Sequence, residues 1–285
     1  MPSPWQSPSS YELIDFGGGA RLERFGERIV DRPHPGALGS RSVIDAWRGA
    51  DLRFDRERGW TGRGIDAGAW TIEVDGLTLE LRTTDTGQVG VFPEHLAMLP
   101  WLRARVAARA GAGRPVTVLH LFAYTGLTTL ALATAGSQVT HLDASRPTVA
   151  WARRNAELSA VTDRPIRWIV DDAVAFTGRE ARRGRRYAGV VLDPPSYGHG
   201  PDARPWRLDD DLPRLLAALR LVLEPDAFAL LTAHTPGFDP ERLGAHLAEA
   251  LGRPRPSIEG GLLTISTHDG RRLEMGAFAR LAGGA

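Results

Sequence analysis

From Val116 onward, short apolar runs alternate with helical stretches, and no other feature restricts the fold of this chain so strongly. "VTVLHLF" reads as a strand, "LTTLALATA" as a helix, "SQVTHLD" as a second strand and "RPTVAWARRNAELSA" as a second helix. "IRWIVDD", "AVAFTGREARRG", "YAGVVLD", "DDLPRLLAALRLVL" and "AFALLTAHT" continue the series to a fifth strand. Strands separated by single helices run parallel, because each crossover returns the chain to the same end of the sheet. A last helix, "PERLGAHLAEAL", leads into "SIEGGLLTISTHDGRRLEMGAFARL", whose Asp269-Gly270 pair predicts a closing hairpin.

Upstream the pattern is different. "WTIEVDGLTLELRTTD" alternates apolar and polar residues on both sides of Asp75-Gly76, a hairpin signal, and "YELIDFGGGARLERFG" offers two strands around Gly17-Gly18-Gly19. "RPHPGALGSRS" between them is loop, and a helix is predicted from about Glu94 to Ala110, with Pro100 near its first turns. Two parts are therefore expected: a small β-rich subdomain over residues 1–92 and an α/β domain over residues 93–285. The opening "MPSPWQSPSSYEL" lacks the basic-then-apolar order of a secretory signal and reads as a short disordered lead. No run of about 18 apolar residues is present to cross a membrane.

Composition removes several chemistries. The 285 residues include no cysteine, so thiolate nucleophiles, thiolate metal sites and disulfides are excluded. All 35 basic residues are arginine, which excludes a lysine Schiff base and a Walker-type phosphate loop. No His-Glu-x-x-His or comparable spacing occurs, so no metal is expected. The net charge of +1 gives no global attraction to nucleic acid, leaving only local patches such as "REARRGRR" (Arg179 to Arg186). Five arginines against one glutamate give that patch a charge of 5 − 1 = +4, suited either to phosphates or to a solvated helix end.

Open parallel sheets bind ligands beyond the carboxyl ends of their strands. After the first strand, "FAYTGLTT" places Gly126 at the start of a helix; the second strand ends at Asp143, the third at Asp171-Asp172 and the fourth at Asp193-Pro194-Pro195. Each acid alone reads as a strand-end cap. As an ordered set they read as a ligand site. A dinucleotide-dependent oxidoreductase shares the Gly-then-Asp layout, but one glycine in place of G-x-G-x-x-G suits a nucleoside without a pyrophosphate. A non-catalytic RNA-binding or scaffold protein is the other rival, and chemistry at several strand ends argues against it.

These segments, with "VLHLFAYTGLTTLALATAGSQVTHLDAS", "IRWIVDDA" and "LDPPSYG" as the most specific, resemble class I S-adenosylmethionine-dependent methyltransferases. The branch they resemble contains bacterial large-subunit ribosomal RNA methyltransferases and uncharacterised relatives. The resemblance implies an α/β fold with a Rossmann-like class I methyltransferase sheet, mostly parallel with an antiparallel last strand, beside a small N-terminal β subdomain. It implies S-adenosyl-L-methionine as cofactor, with Phe122, Ala123, Tyr124, Thr125 and Gly126 around the methionine part. Asp143 would hold the ribose, Ala144 and Ser145 would lie by the adenosine, and Asp172 and Ala173 would face the adenine. "GVFPEH" resembles a segment that lids the cofactor, which adds Phe92 and His95.

Asp193, Pro194 and Pro195 are the implied catalytic residues. Pro195 has no N–H to offer, and the stiff pair leaves the Asp193 carboxylate and the Pro194 carbonyl as fixed acceptors for an amino group. Tyr197, His199 and Trp206 follow as candidates for contact with the substrate. The implied partner is RNA, met through the arginine patch, in the cytoplasm, with methylation at a nitrogen. Cytosine C5 chemistry needs a cysteine thiolate, and where this branch would carry one the chain reads "TAHTPG". Relatives that act on RNA often add an N-terminal RNA-binding domain, which residues 1–92 do not resemble, so a protein or small metabolite stays open as the acceptor.

Overall fold

The computed structural model describes residues 10–199 and 205–283, so the first nine residues of the expected disordered lead lie outside the described residues. The chain divides into two compact units, one of Met1–Leu96 with Thr264–Met275, the other of Ala97–Leu263 with Gly276–Ala285.

In the first unit, β1 (Tyr11–Gly17), β2 (Ala20–Phe25), β3 (Arg28–Pro33), β4 (Leu52–Asp55) and β5 (Gly59–Thr61) form one sheet in that order, with a short helix α1 (Ile44–Arg48) between β3 and β4. Gly17 pairs with Ala20, and the intervening Gly18 and Gly19 have φ of 60° and 77°, so the β1–β2 turn needs left-handed backbone at both central positions. The expected Asp75-Gly76 hairpin is present as β6 (Trp70–Val74) and β7 (Leu77–Leu81). The sequence reading gave the whole C-terminus to the second part, whereas Thr264–Met275 belongs with the first unit. Two contacts account for this: Leu13 bridges to Thr267, and the Arg271 guanidinium donates to Asp15 Oδ1 at 2.5 Å. Asp15 also accepts from Trp47 Nε1 and from the N–H groups of Ser42 and Val43, which fixes the loop before α1.

The predicted helix from Glu94 is split. Pro93–Met98 is a 3₁₀ segment, and α2 (Leu99–Gly111) starts with Pro100 in its first turn, where a missing N–H costs nothing.

The second unit holds β8 (Thr117–Leu121), α3 (Leu127–Thr134), β9 (Gln138–Asp143), α4 (Arg146–Leu158), β10 (Ile166–Val170), α5 (Ala173–Arg182) and β11 (Tyr187–Leu192). A two-stranded flap of β12 (Tyr197–His199) and β13 (Pro205–Arg207) follows, then α6 (Leu208–Arg220), β14 (Leu223–Ala233) and α7 (Pro240–Leu251), and the unit also takes β15 (Ile258–Ser266) up to Leu263 and β16 (Arg272–Leu281) from Gly276. The seven-stranded sheet runs β10-β9-β8-β11-β14-β16-β15; the first five are parallel and β16 is antiparallel to β14. This is the Rossmann-like sheet with its antiparallel end that the sequence implied.

Every residue of β11 is buried, as expected for a central strand covered on both faces. Leu119, Leu121, Val190, Leu192, Ala229 and Leu231 pack with Leu212, Leu215, Leu216 and Leu219 of α6 into one core. Burial at ~25 cal/mol per Å² makes such a core the main force holding the strand ends in register. Reversal of strand order at the β8/β11 junction places the ends of β8, β9, β10 and β11 around one crevice, the usual ligand position in such sheets.

Candidate active site

The loop after β8 is wound unusually tightly. Phe122 and Tyr124 have φ of 53° and 50°, and Gly126 has φ of 95°. Two non-glycine residues in the left-handed region cost of order 1–3 kcal/mol each and persist only where neighbours hold them. The neighbours are visible: Ala123 N–H donates to Leu142 O at 3.0 Å, Tyr124 N–H to Asp143 Oδ2 at 3.0 Å, and Asn155 Nδ2 to Thr125 O at 2.9 Å. A Cβ on Gly126 would lie 3.2 Å from Ala152 Cβ, so glycine serves both the turn and the close approach to α4.

Asp143 ends β9 with Oδ1 accepting from Ser145 N–H at 2.9 Å and Oδ2 accepting from Tyr124 N–H. Burial pushes its carboxyl above the usual carboxylate range, against the pull of those two N–H groups. Ser145 caps α4 through its hydroxyl, which accepts from Thr148 N–H, and Ala144 lies half-buried between them. Asp172 caps α5, with Oδ1 accepting from Ala175 N–H at 2.8 Å, and Ala173 is packed into the core. Asp171 is paired with Arg179.

At the end of β11, Asp193 Oδ1 accepts from the Thr232 hydroxyl at 2.6 Å and lies 3.3 Å from His234 Nε2. The Pro195 carbonyl accepts from Trp206 Nε1 at 2.8 Å and the Ser196 carbonyl from Leu208 N–H at 3.2 Å. Among the described residues, no donor reaches the Pro194 carbonyl. Trp206 is buried, its ring 4.9 Å from that of Phe122, so it supports both the turn and the loop after β8. Tyr197 is 56% exposed at the start of the flap, and His199 ends β12 opposite Pro205.

The second unit thus carries Phe122 to Gly126, Asp143 to Ser145, Asp172, Ala173 and Asp193 to Tyr197 at successive ends of one sheet. Phe92 and His95 belong to the first unit, their rings 5.8 Å apart. Asn155 and Thr232 went unnoticed in the sequence, and the signal for them was faint: an asparagine inside a helix and a threonine at a strand end are ordinary.

The profile of the S-adenosylmethionine-dependent methyltransferase family matches residues 24–259. The chain belongs to that family. It is 35% identical to a SAM-dependent methyltransferase of Agrobacterium tumefaciens whose structure superposes with a TM-score of 0.88, covering 95% of this chain and 90% of that one. A candidate methyltransferase solved in complex with SAH shares the fold at 15% identity, with a TM-score of 0.70 over 92% of this chain and 72% of that one. The curated relatives include a ribosomal RNA large subunit methyltransferase K/L of Magnetococcus marinus, 27% identical over 59% of this chain and 22% of that protein. A ribosomal RNA large subunit methyltransferase K of Neisseria meningitidis is 33% identical over 39% of this chain and 29% of its own length. The chain therefore spans less than a third of those curated relatives.

The donors and acceptors present fit the family's cofactor. Each oxygen of Asp143 has accepted one N–H and keeps a lone pair, which suits the two hydroxyls of a ribose. The raised carboxyl of Asp143 is that of a buried group that gains from further donors.

Proposed function

We propose that this methyltransferase transfers a methyl group to a nitrogen of a base in ribosomal RNA, working in the cytoplasm. The observation that carries the reading is the Asp193-Pro194-Pro195 turn. Its Pro195 and Ser196 carbonyls are bonded within the fold, while the Asp193 carboxylate is held in one orientation and the Pro194 carbonyl meets no donor among the described residues. An amino group facing the turn would give its two hydrogens to these acceptors and turn its lone pair outward.

S-adenosylmethionine, when bound, supplies an electrophilic methyl group on a sulfonium. In this reading Asp143 binds the ribose, Ala144 and Ser145 border the adenosine, and the Phe122–Gly126 loop holds the methionine portion. Asp172 and Ala173 border the adenine, and Phe92 and His95 serve as lid residues. With the cofactor bound, the acceptor nitrogen would take the methyl while the electron pair of the broken C–S bond stayed with sulfur, and the Asp193 carboxylate would receive the nitrogen's surplus proton. The protein's contribution is alignment, for which effective molarities of about 10⁵ M and above are known.

Three observations favour RNA as the acceptor. The curated relatives carry ribosomal RNA in their names, Tyr197 is exposed beside the turn, and Arg182 and Arg185 are exposed cations on one helix end. Tyr197, with His199 and Trp206 on the flap, would border an extruded base. The absence of cysteine argues for nitrogen over cytosine C5.

Mass spectrometry of nucleosides from a deletion strain tests this directly. One methylated nucleoside of ribosomal RNA should vanish and return on complementation. An unchanged RNA profile, with a methyl mark lost from protein or from a metabolite, would move the acceptor to that class.

A further inference from the structure

The segment Thr232 to Thr235, "TAHT", follows the line of the Asp193 turn and touches it with three side chains. Leu231 pairs with Leu192 between β14 and β11, which brings Thr232 level with Asp193. The Thr232 hydroxyl donates to Asp193 Oδ1 at 2.6 Å, His234 Nε2 lies 3.3 Å from the same oxygen, and Thr235 Oγ1 lies 2.6 Å from Ser196 Oγ. Thr232 is buried, at 3% exposed, so its hydroxyl has been carried into the sheet rather than left at a wet edge.

The bond has a physical consequence. A carboxylate at a strand end turns about its last side-chain torsion, which is broad and roughly two-fold. A hydroxyl hydrogen bond to an ionised oxygen is short and about twice as strong as a neutral one. With Thr232 and His234 on one oxygen, the plane of the Asp193 carboxylate is set. The imidazole is itself seated: a Cβ on Gly276 would come within 3.1 Å of His234 Nδ1 and 2.4 Å of the Ala233 carbonyl. Glycine at 276 thus lets the ring lie against the neighbouring strand with Nε2 towards Asp193.

We infer that Thr232 and His234 are positioning residues for methyl transfer, acting through Asp193, while Thr235 holds the far end of the turn at Ser196. The inference rests on the reading that Asp193 faces the methyl acceptor. In place of a nucleophile after the fifth parallel strand, this chain carries a clamp. A merely structural role would cost stability without a kinetic signature that depends on Asp193.

The test measures transfer of radiolabel from S-adenosylmethionine to the RNA, protein and small-molecule fractions of an extract from a strain lacking the gene, using whichever fraction the wild-type enzyme labels. Thr232→Val, nearly isosteric, should lower kcat by about 10- to 100-fold with KM for S-adenosylmethionine within about twofold. Thr232→Ser should restore most of the rate, and His234→Gln, which keeps a donor, should retain more than His234→Ala. In an Asp193→Ala background, Thr232→Val should have no further effect, because its route to the reaction is gone. Equal losses with and without Asp193, or a near-normal kcat in Thr232→Val, would overturn the clamp. Should Asp193→Ala itself turn over normally, the reading beneath it fails. A wild-type enzyme that labels no fraction would overturn the transfer reading and the clamp with it. Melting curves and S-adenosylhomocysteine calorimetry on each variant separate these results from misfolding.

Discussion

The indole N–H of Trp206 donates to the Pro195 carbonyl at 2.8 Å, and the same ring stands 4.9 Å from Phe122. One side chain therefore joins the turn after β11 to the left-handed loop after β8. The turn cannot shift without disturbing the loop, so the segments proposed to meet the acceptor and the cofactor share a support.

Trp206→Phe keeps an aromatic ring against Phe122 and removes the donor. It should cost about 0.5–1.5 kcal/mol of stability by removing one part-buried hydrogen bond from the turn. Turnover should fall by more than cofactor affinity does, because the turn loses its outer tether. Urea melts and S-adenosylhomocysteine calorimetry give the two numbers, and a full wild-type rate in Trp206→Phe would mean that the flap holds the turn by its strands alone.

How much of this was open to a reader of the sequence depends on range. The parallel sheet and its closing hairpin were legible because strand–helix alternation and the Asp269-Gly270 turn are local signals that the structure follows at Thr117–Leu121 through Ala173–Arg182 and at Arg272–Leu281. That Gly126 opens a helix and Asp143 ends a strand was legible because both follow from position in the alternation. The strands Arg28–Pro33, Leu52–Asp55 and Gly59–Thr61 were not, since they are short, the first two carry several charges, the third is three residues long, and all owe their form to neighbours in the sheet. Nor were the contacts that define the turn: Thr232 reaches Asp193 across 39 residues and Trp206 reaches Pro195 across a flap. Side-chain hydrogen bonds of that span leave no periodicity behind.

Asp143 is the main test of cofactor binding. S-adenosylhomocysteine should bind and raise the melting temperature, while NAD should do neither. Asp143→Ala removes charge-assisted bonds worth about 1.5–3 kcal/mol, so Kd should rise roughly 10- to 150-fold. Asp143→Asn keeps one acceptor and should fall between. An Asp143→Ala protein that binds as well as wild type would detach the residue from the ribose and leave it as the support of Tyr124 and Ser145.

A buried pair of histidines makes stability depend on acid. His120 Nδ1 and His141 Nδ1 lie 2.7 and 2.8 Å from the Thr129 hydroxyl, and His141 is fully buried. Desolvation, with the nearby His120 and Arg153, holds the His141 imidazole well below the usual histidine range. The folded protein therefore keeps His141 neutral at a pH where the unfolded chain takes up a proton. Stability is unaffected by this group above about pH 6.5 and falls as pH drops below it, by up to about 1.4 kcal/mol per unit. In His141→Asn, which can still meet Thr129, the fall between pH 7 and 5 should be shallower by about one proton. Parallel slopes in the two proteins, read from denaturant melts, would assign the acid loss to other groups.

The arginine cluster divides into engaged and exposed members. Arg179 is paired with Asp171, Arg183 donates to Glu180 at 3.0 Å, and Arg186 bonds to the Leu221 carbonyl. Arg182 and Arg185 are exposed, and among the described residues no acid pairs with either. If RNA phosphates meet this surface, these two are the cations that release counterions. Replacing both with glutamine should flatten the salt dependence of RNA binding by about 0.7 per lost phosphate contact on single strands. Arg183→Gln is the control: it removes one charge at the same helix end, from a side chain already held by Glu180, and should change the slope by less than half as much. Filter binding of ribosomal RNA between 50 and 200 mM salt, about the range where such slopes are readable, resolves the difference. If both proteins keep the wild-type slope, the cluster is a solvated helix end and RNA is met elsewhere.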